Sequence, residues 1–284
     1  MKKINKISVI LSGSRKTDEI LSSVEKTIEN SGASLVSSTN INSISGTSIT
    51  KISESDLILV LGGDGTMIGS IRSLNDLNIP FLGINLGNVG FLTDLQLSKI
   101  SNLSDIIKGK YLQEKRPIYE TFSVEGKKEI FVNEVVIHSG SVTKMLELEL
   151  SIQNQVIYNL RADGLIVSSS TGSTAYSYSG GGPIISPKLD ALSLLPMFSH
   201  SSSSHSLLLS GKEEVKIKIK NKDLSSIQVF VDGKKNLKYK RNGLKVLNTK
   251  KTFKLYHPKD YNYFEACRTK LGWAVSIENL KKIQ

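Results

Sequence analysis

Asp56-Leu57-Ile58-Leu59-Val60-Leu61-Gly62-Gly63-Asp64-Gly65-Thr66 decides the fold of the first half of this chain. An unbroken aliphatic run behind an aspartate reads as a strand buried on both faces, as in a parallel sheet. The glycines end it, and Ile68, Ile71, Leu74 and Leu77 then recur at helical spacing. A further strand is predicted at Pro80–Asn85. Strand, glycine turn, helix and strand make a β-turn-α-β unit, which points to a doubly wound α/β domain. Upstream, Lys6–Leu11 predicts another strand. Asp18–Asn30, with Ile20, Leu21, Val24 and Ile28 on one face and Gly32 just beyond, predicts an amphipathic helix.

Beyond Arg116-Pro117 the texture changes. Glu129–His138, Leu146–Gln153, Gly164–Ser168, Val215–Lys220, Ile227–Val231 and Thr252–Tyr256 are short, alternating or β-branched runs separated by turns. This half is expected to be mainly β. The expected division is an α/β domain over 1–112, joined by 257–284, and a β-rich domain over 113–256. The tail from Asp260 is not strand-like and is expected to return to the first domain.

The chain has 284 residues, 39% hydrophobic and 22% charged, a balance that suits a soluble protein with a real core and excludes a disordered one. No apolar run approaches the ~20 residues of a membrane-spanning helix. The basic opening Met1–Lys6 is not followed by a signal-peptide core. A single cysteine, Cys267, excludes an internal disulfide and a cysteine-built zinc site, and a cytoplasmic protein is expected. The net charge of +11 is local: residues 212–254 carry 14 Lys+Arg against 4 Asp+Glu. Val215-Lys216-Ile217-Lys218-Ile219-Lys220 alternates at period two, so a half-buried strand with a solvated lysine face explains it better than a polyanion-binding surface. No nucleic-acid partner is expected.

The chemistry begins at Gly62-Gly63-Asp64-Gly65-Thr66. Glycines expose backbone N–H groups, and a helix N-terminus adds partial positive charge, so Gly62, Gly63, Gly65 and Thr66 form a phosphate-accepting turn. Neither the P-loop spacing nor the dinucleotide fingerprint fits. A carboxylate in such a turn is electrostatically unfavourable without a task. Asp64 could ligand Mg²⁺, hold a ribose hydroxyl or accept its proton; the alternative is a helix cap.

A second signal is Asp163-Gly164 leading into Thr171-Gly172-Ser173-Thr174-Ala175-Tyr176-Ser177-Tyr178-Ser179-Gly180-Gly181-Gly182-Pro183. Hydroxyls, free amides and two tyrosines suit an adenosine or a phosphate, against the plainer reading of a surface loop. Asn133-Glu134 can read nucleoside hydroxyls and ring nitrogens, although a strand edge explains the pair as well. His138, His200, His205 and His257 show no metal-ligand spacing and are expected to be structural, and Cys267 to be packed.

Taken in order, these pieces resemble the NAD kinase family, especially its bacterial members. The likeness runs through the Gly62–Thr66 turn, Gly83–Asp94, Asn133-Glu134, Arg161–Gly164, Thr171–Pro183 and Asp232-Gly233. It extends to His257–Tyr261 and Lys270-Leu271-Gly272-Trp273. The resemblance implies ATP-dependent phosphorylation of the adenosine ribose 2′-hydroxyl of NAD, with Mg²⁺ or another divalent cation travelling with ATP and no dedicated metal site. It implies Asp64 as proton acceptor, with Gly65 also touching NAD. It also implies Asn133, Glu134, Lys144, Arg161, Asp163, Thr174, Ala175, Tyr176, Ser177, Tyr178 and Ser179 as NAD-binding residues. A homodimer or homotetramer is implied, with no membrane partner. The chain departs from the family at Ser199–Ser206, where prolines and an arginine are lost, at Lys234 in place of a glutamine, and at Leu86 in place of an arginine. Two other readings stay open: a lipid kinase sharing the aspartate turn, and a dinucleotide sensor without turnover.

Overall fold

Leu57–Leu61 is fully buried, as its unbroken aliphatic sequence requires. The computed structural model describes residues 2–87, 90–123, 128–141, 144–201, 205–235 and 243–274, with the side chains of 15–19, 123 and 235 excepted. The chain divides into two compact units, 1–115 with 253–284, and 116–252.

In the first unit the elements run β1 (Lys6–Leu11), α1 (Arg15–Asn30), β2 (Ser34–Asn40), α2 (Gly46–Ile52), β3 (Leu57–Leu61), α3 (Asp64–Leu74), β4 (Phe81–Asn85), β5 (Leu95–Gln96) and α4 (Asn102–Ile107). β1 lies between β2 and β3, and β3 between β1 and β4, all parallel. The first connection goes to one side of β1 and the later ones to the other. Such a reversal opens a crevice at the carboxyl ends of the strands. The glycine turn follows the carboxyl end of β3. The core joins Ile7, Val9, Leu57, Leu59, Leu61, Leu82 and Ile84 to Val24 and Ile28 of α1 and Leu103 and Ile106 of α4. Each such side chain contributes roughly 1.5–3 kcal/mol on burial.

The second unit continues with β6 (Leu112–Ser123), β7 (Lys128–Phe131), β8 (Glu134–His138), β9 (Leu146–Ile152), β10 (Gln155–Ser169) and α5 (Tyr176–Ser179). β11 (Ala191–Ser199), β12 (Leu207–Ser210), β13 (Val215–Ile219), β14 (Gln228–Val231), β15 (Lys234–Lys235) and β16 (Leu244–His257) follow. The chain enters this unit within β6 and leaves it within β16. α6 (Tyr263–Leu271) then belongs to the first unit, so the tail returns as expected. β10 is the organiser. Its first half pairs with β9, its second half with β8 on one side and β11 on the other, all antiparallel.

Two of the expected runs change where they bear on the site. The run Glu129–His138 is broken at Val132-Asn133, because the Asp232 carboxylate takes the N–H groups of Val132 (3.0 Å), Asn133 (2.8 Å) and Glu134 (3.2 Å). The run Gly164–Ser168 is only the buried end of the 15-residue β10; the exposed Gln155–Ile157 at its start hid the rest. The lysine strand β13 buries Val215, Ile217 and Ile219, while Lys220 pairs with Glu149 and Lys216 bonds Asn154 Oδ1 at 2.7 Å. Lys238, Lys240 and Arg241 lie outside the described residues.

Candidate active site

Gly63 caps α3, accepting from Thr66 N–H (3.0 Å) and Met67 N–H (3.1 Å), and Asp64 is the first residue of the helix. A carboxylate there suits the positive end of the helix dipole. Its hydrogen bonds, however, come from the segment after β4. Phe91 N–H donates to Oδ2 at 2.7 Å. Leu92 N–H (3.0 Å), Thr93 N–H (3.1 Å) and Thr93 Oγ1 (3.1 Å) donate to Oδ1. Asn85, at the end of β4, fixes that segment by donating to Thr93 Oγ1 at 2.9 Å and accepting from Gly87 N–H at 2.8 Å.

Two glycines make the approach possible. A Cβ on Gly83 would stand 2.7 Å from the Thr93 Cα, and one on Gly90 only 1.9 Å from Asp64 Oδ1. Gly63 and Gly65 are different: a Cβ on either would meet nothing within 4 Å. They leave the turn open above the helix end, as phosphate binding through backbone amides requires.

The tail supplies the outer support. Lys270 of α6 donates to the Gly90 carbonyl, and its ammonium stands 4.7 Å from the centroid of the Phe91 ring. His257 is buried with Nδ1 2.9 Å from Asp94 Oδ2 and Nε2 3.2 Å from Glu114 Oε2, stacked on Tyr261 at 4.0 Å. This histidine is structural.

In the second unit, Glu134 and Tyr176 line one cavity of about 360 Å³, together with Val136, His138, Phe230 and Gly233. Glu134 is 6% exposed, and its Oε2 has no hydrogen-bond partner among the described residues. Burial, then the charge of Asp232, pushes its carboxyl up to about 8. Asp232 adopts a left-handed backbone conformation, φ +47°, which turns the chain back under residues 132–134. Asn133 is held by packing: its carbonyl accepts from Ser169 N–H at 2.8 Å, and a Cβ on Gly172 would come within 2.2 Å of it.

Thr171–Pro183 is ordered rather than a loose loop. A single 3₁₀ turn covers Gly172–Thr174, and α5 carries Tyr176, Ser177, Tyr178 and Ser179. Ser173 Oγ accepts from Ile185 N–H at 3.0 Å, and Ala175 N–H donates to the Gly172 carbonyl at 2.9 Å. Ser177 is buried and Tyr176 exposed beside the cavity.

The remaining predicted residues stand apart from that lining. Asp163 is half-buried and its carbonyl accepts from Ser139 N–H. Arg161 is exposed, 3.9 Å from Glu147. Lys144 pairs with Asp223 at 3.0 Å, where Ser225 and that lysine hold the aspartate well below its usual range. Sequence reading quoted Gly90, Asp232 and Lys270 within longer matches but gave them no task. Their partners lie 26 to 180 residues away, so no local pattern could have done so.

A family model described as the ATP-NAD kinase N-terminal domain matches residues 5–111, and one described as the ATP-NAD kinase C-terminal domain matches 132–257. The chain is 42% identical to an NAD kinase of Marinobacter nauticus over 78% of each chain. It is 40% identical to one of Wigglesworthia glossinidia brevipalpis over 90% of this chain and 87% of the relative. Among solved structures, a yeast NADH kinase complexed with NADH superposes with a TM-score of 0.84 at 19% identity, covering 98% of this chain and 90% of the other. An NAD kinase from Archaeoglobus fulgidus in complex with ATP gives 0.74 at 20% identity, covering 94% and 97%; at these identities both show a shared fold. On the strength of two matched domains and relatives alike along most of their length, this chain belongs to the ATP-NAD kinase family.

Proposed function

We propose that this protein transfers the terminal phosphoryl group of ATP to the adenosine ribose 2′-hydroxyl of NAD, giving NADP. The observation that carries the reading is the state of Asp64. Among the described residues its Oδ1 accepts three hydrogen bonds and its Oδ2 one, which leaves Oδ2 a lone pair for a substrate hydroxyl. Fixed from behind by backbone amides, Oδ2 orients the hydroxyl in line with the phosphorus. It takes the proton as the loose transition state collapses. The open turn at Gly63 and Gly65 receives phosphate oxygens through backbone amides.

Among the described residues no group of three or more His, Cys, Asp or Glu is placed to hold a metal ion. A divalent cation enters the proposal with ATP, where it would neutralise phosphate charge. For NAD we propose Glu134 and Tyr176 at the cavity, with Asn133 and Thr174–Ser179 beside them and Asp163, Arg161 and Lys144 as outer contacts. We also propose a cytoplasmic homo-oligomer. Phe198 is 80% exposed, and Leu207 and Leu208 are exposed on β12, an apolar surface of the kind that partners cover. No helix among the described residues is long and apolar enough to cross a membrane.

The test is NADP formation from NAD and Mg-ATP by wild type and Asp64→Asn. A loss of ~10²-fold or more in kcat with NAD binding little changed supports the role. NAD binding without turnover by wild type would make the protein a sensor. Transfer to diacylglycerol with NAD ignored would make it a lipid kinase.

A further inference from the structure

The Gly90–Phe91 peptide has a distinct partner at each end. Its carbonyl accepts from Lys270 Nζ, and its N–H donates to Asp64 Oδ2. A trans peptide points these two groups in opposite directions, so one rigid plane separates the ammonium from the carboxylate. We infer that Lys270 is a positioning residue for Asp64, acting through that plane and setting which way Oδ2 faces; this rests on the reading of Asp64 as proton acceptor.

Observations at Gly90 and on α6 support it. Residue 90 is glycine because a Cβ would collide with Asp64 Oδ1, and the same lack of Cβ makes rotation of its peptide cheap. A rotated plane would aim the Gly90 carbonyl at Oδ2, setting two acceptors against each other and removing the one hydrogen bond that oxygen receives among the described residues. Lys270 opposes that rotation in two ways. It holds the carbonyl, and its charge lies over the face of the Phe91 ring, the next side chain along. Tyr263, also on α6, packs against the same ring with centroids 6.3 Å apart. A cation on the carbonyl also polarises the peptide and strengthens the N–H bond to the carboxylate. α6 thus acts on Oδ2 through the Gly90–Phe91 peptide.

The consequence differs from that of a general support. Losing the ammonium leaves Leu92 and Thr93 still bonded to Oδ1, so Asp64 stays in place but Oδ2 loses its fixed direction. Turnover should fall while substrate binding holds.

The experiment compares wild type, Lys270→Met and Lys270→Arg as full-length proteins. In Lys270→Met the Phe91 amide should exchange with deuterium at least ~10-fold faster, with Leu92 and Thr93 less affected. The kcat for NADP formation should fall ~10-fold or more, with KM for NAD within ~3-fold. Lys270→Arg, which keeps a cation able to donate, should recover most of both. Equal protection of the Phe91 amide in wild type and Lys270→Met would overturn the inference, as would a KM rise at unchanged kcat. The exchange measurement needs no turnover, so failure of wild type to make NADP would count against the assigned reaction and not against the Lys270 contact.

Discussion

At Asp64, four hydrogen bonds among the described residues leave one oxygen with spare capacity, so the neighbours of that carboxylate are as constrained as the residue itself. Gly90→Ala forces a methyl group to 1.9 Å from Oδ1. The expected result is ~1–3 kcal/mol lost in urea unfolding, the usual cost of overpacking, and loss of NADP formation. Gly65→Ala is the contrasting case. Its Cβ meets no protein atom and alanine is the better helix former, so stability should hold or rise slightly. Affinity for Mg-ATP should fall, because the methyl group occupies space left for phosphate. Comparing melting curves with ATP titrations of the two variants separates a glycine kept for packing from one kept for a ligand.

At the scale of elements, the junction of β7 and β8 depends on Asp232. Its carboxylate is the acceptor for three successive N–H groups, and Asp232→Ala leaves them without it. The expected cost is about 3 kcal/mol, read in urea unfolding. The same aspartate helps hold a proton on Glu134, whose carboxyl titrates near 8 in the folded chain against an ordinary 4.5. The unfolded chain therefore releases that proton first. Glu134's contribution to stability is complete below about pH 4.5 and is lost as pH rises toward 8. Glu134→Gln, which cannot titrate, should flatten the fall in unfolding free energy between pH 5.5 and 8; an unchanged slope would assign the proton elsewhere.

Over the whole molecule, the first unit is closed by groups far apart in sequence. His257, at the end of β16, meets Asp94 and Glu114 in a buried cluster. His257→Leu leaves those carboxylates without the ring between them, and a loss of roughly 3 kcal/mol is expected in thermal unfolding. The exposed Phe198 and Leu208 bear on the proposed assembly. Leu208→Glu should shift the protein toward a smaller species in light scattering, and an unchanged mass would place the interface elsewhere.

Much of this was legible along the chain, because periodicity and local turn chemistry are short-range properties. The aliphatic run before Gly62 specified a buried parallel strand, and the glycines with the helical spacing after them specified the turn on which Asp64 sits. The order of motifs carried the family. What the tertiary structure alone decided is how those residues are held. The donors to Asp64 lie 27 to 29 residues onward, the lysine behind Gly90 lies 180 residues onward, and the anchor of Asn133-Glu134 lies about a hundred residues onward. Side chains that far apart in sequence meet only when the sheet and the returning tail have formed. A linear sequence names the groups, but their hydrogen bonds depend on distances that only the folded chain sets.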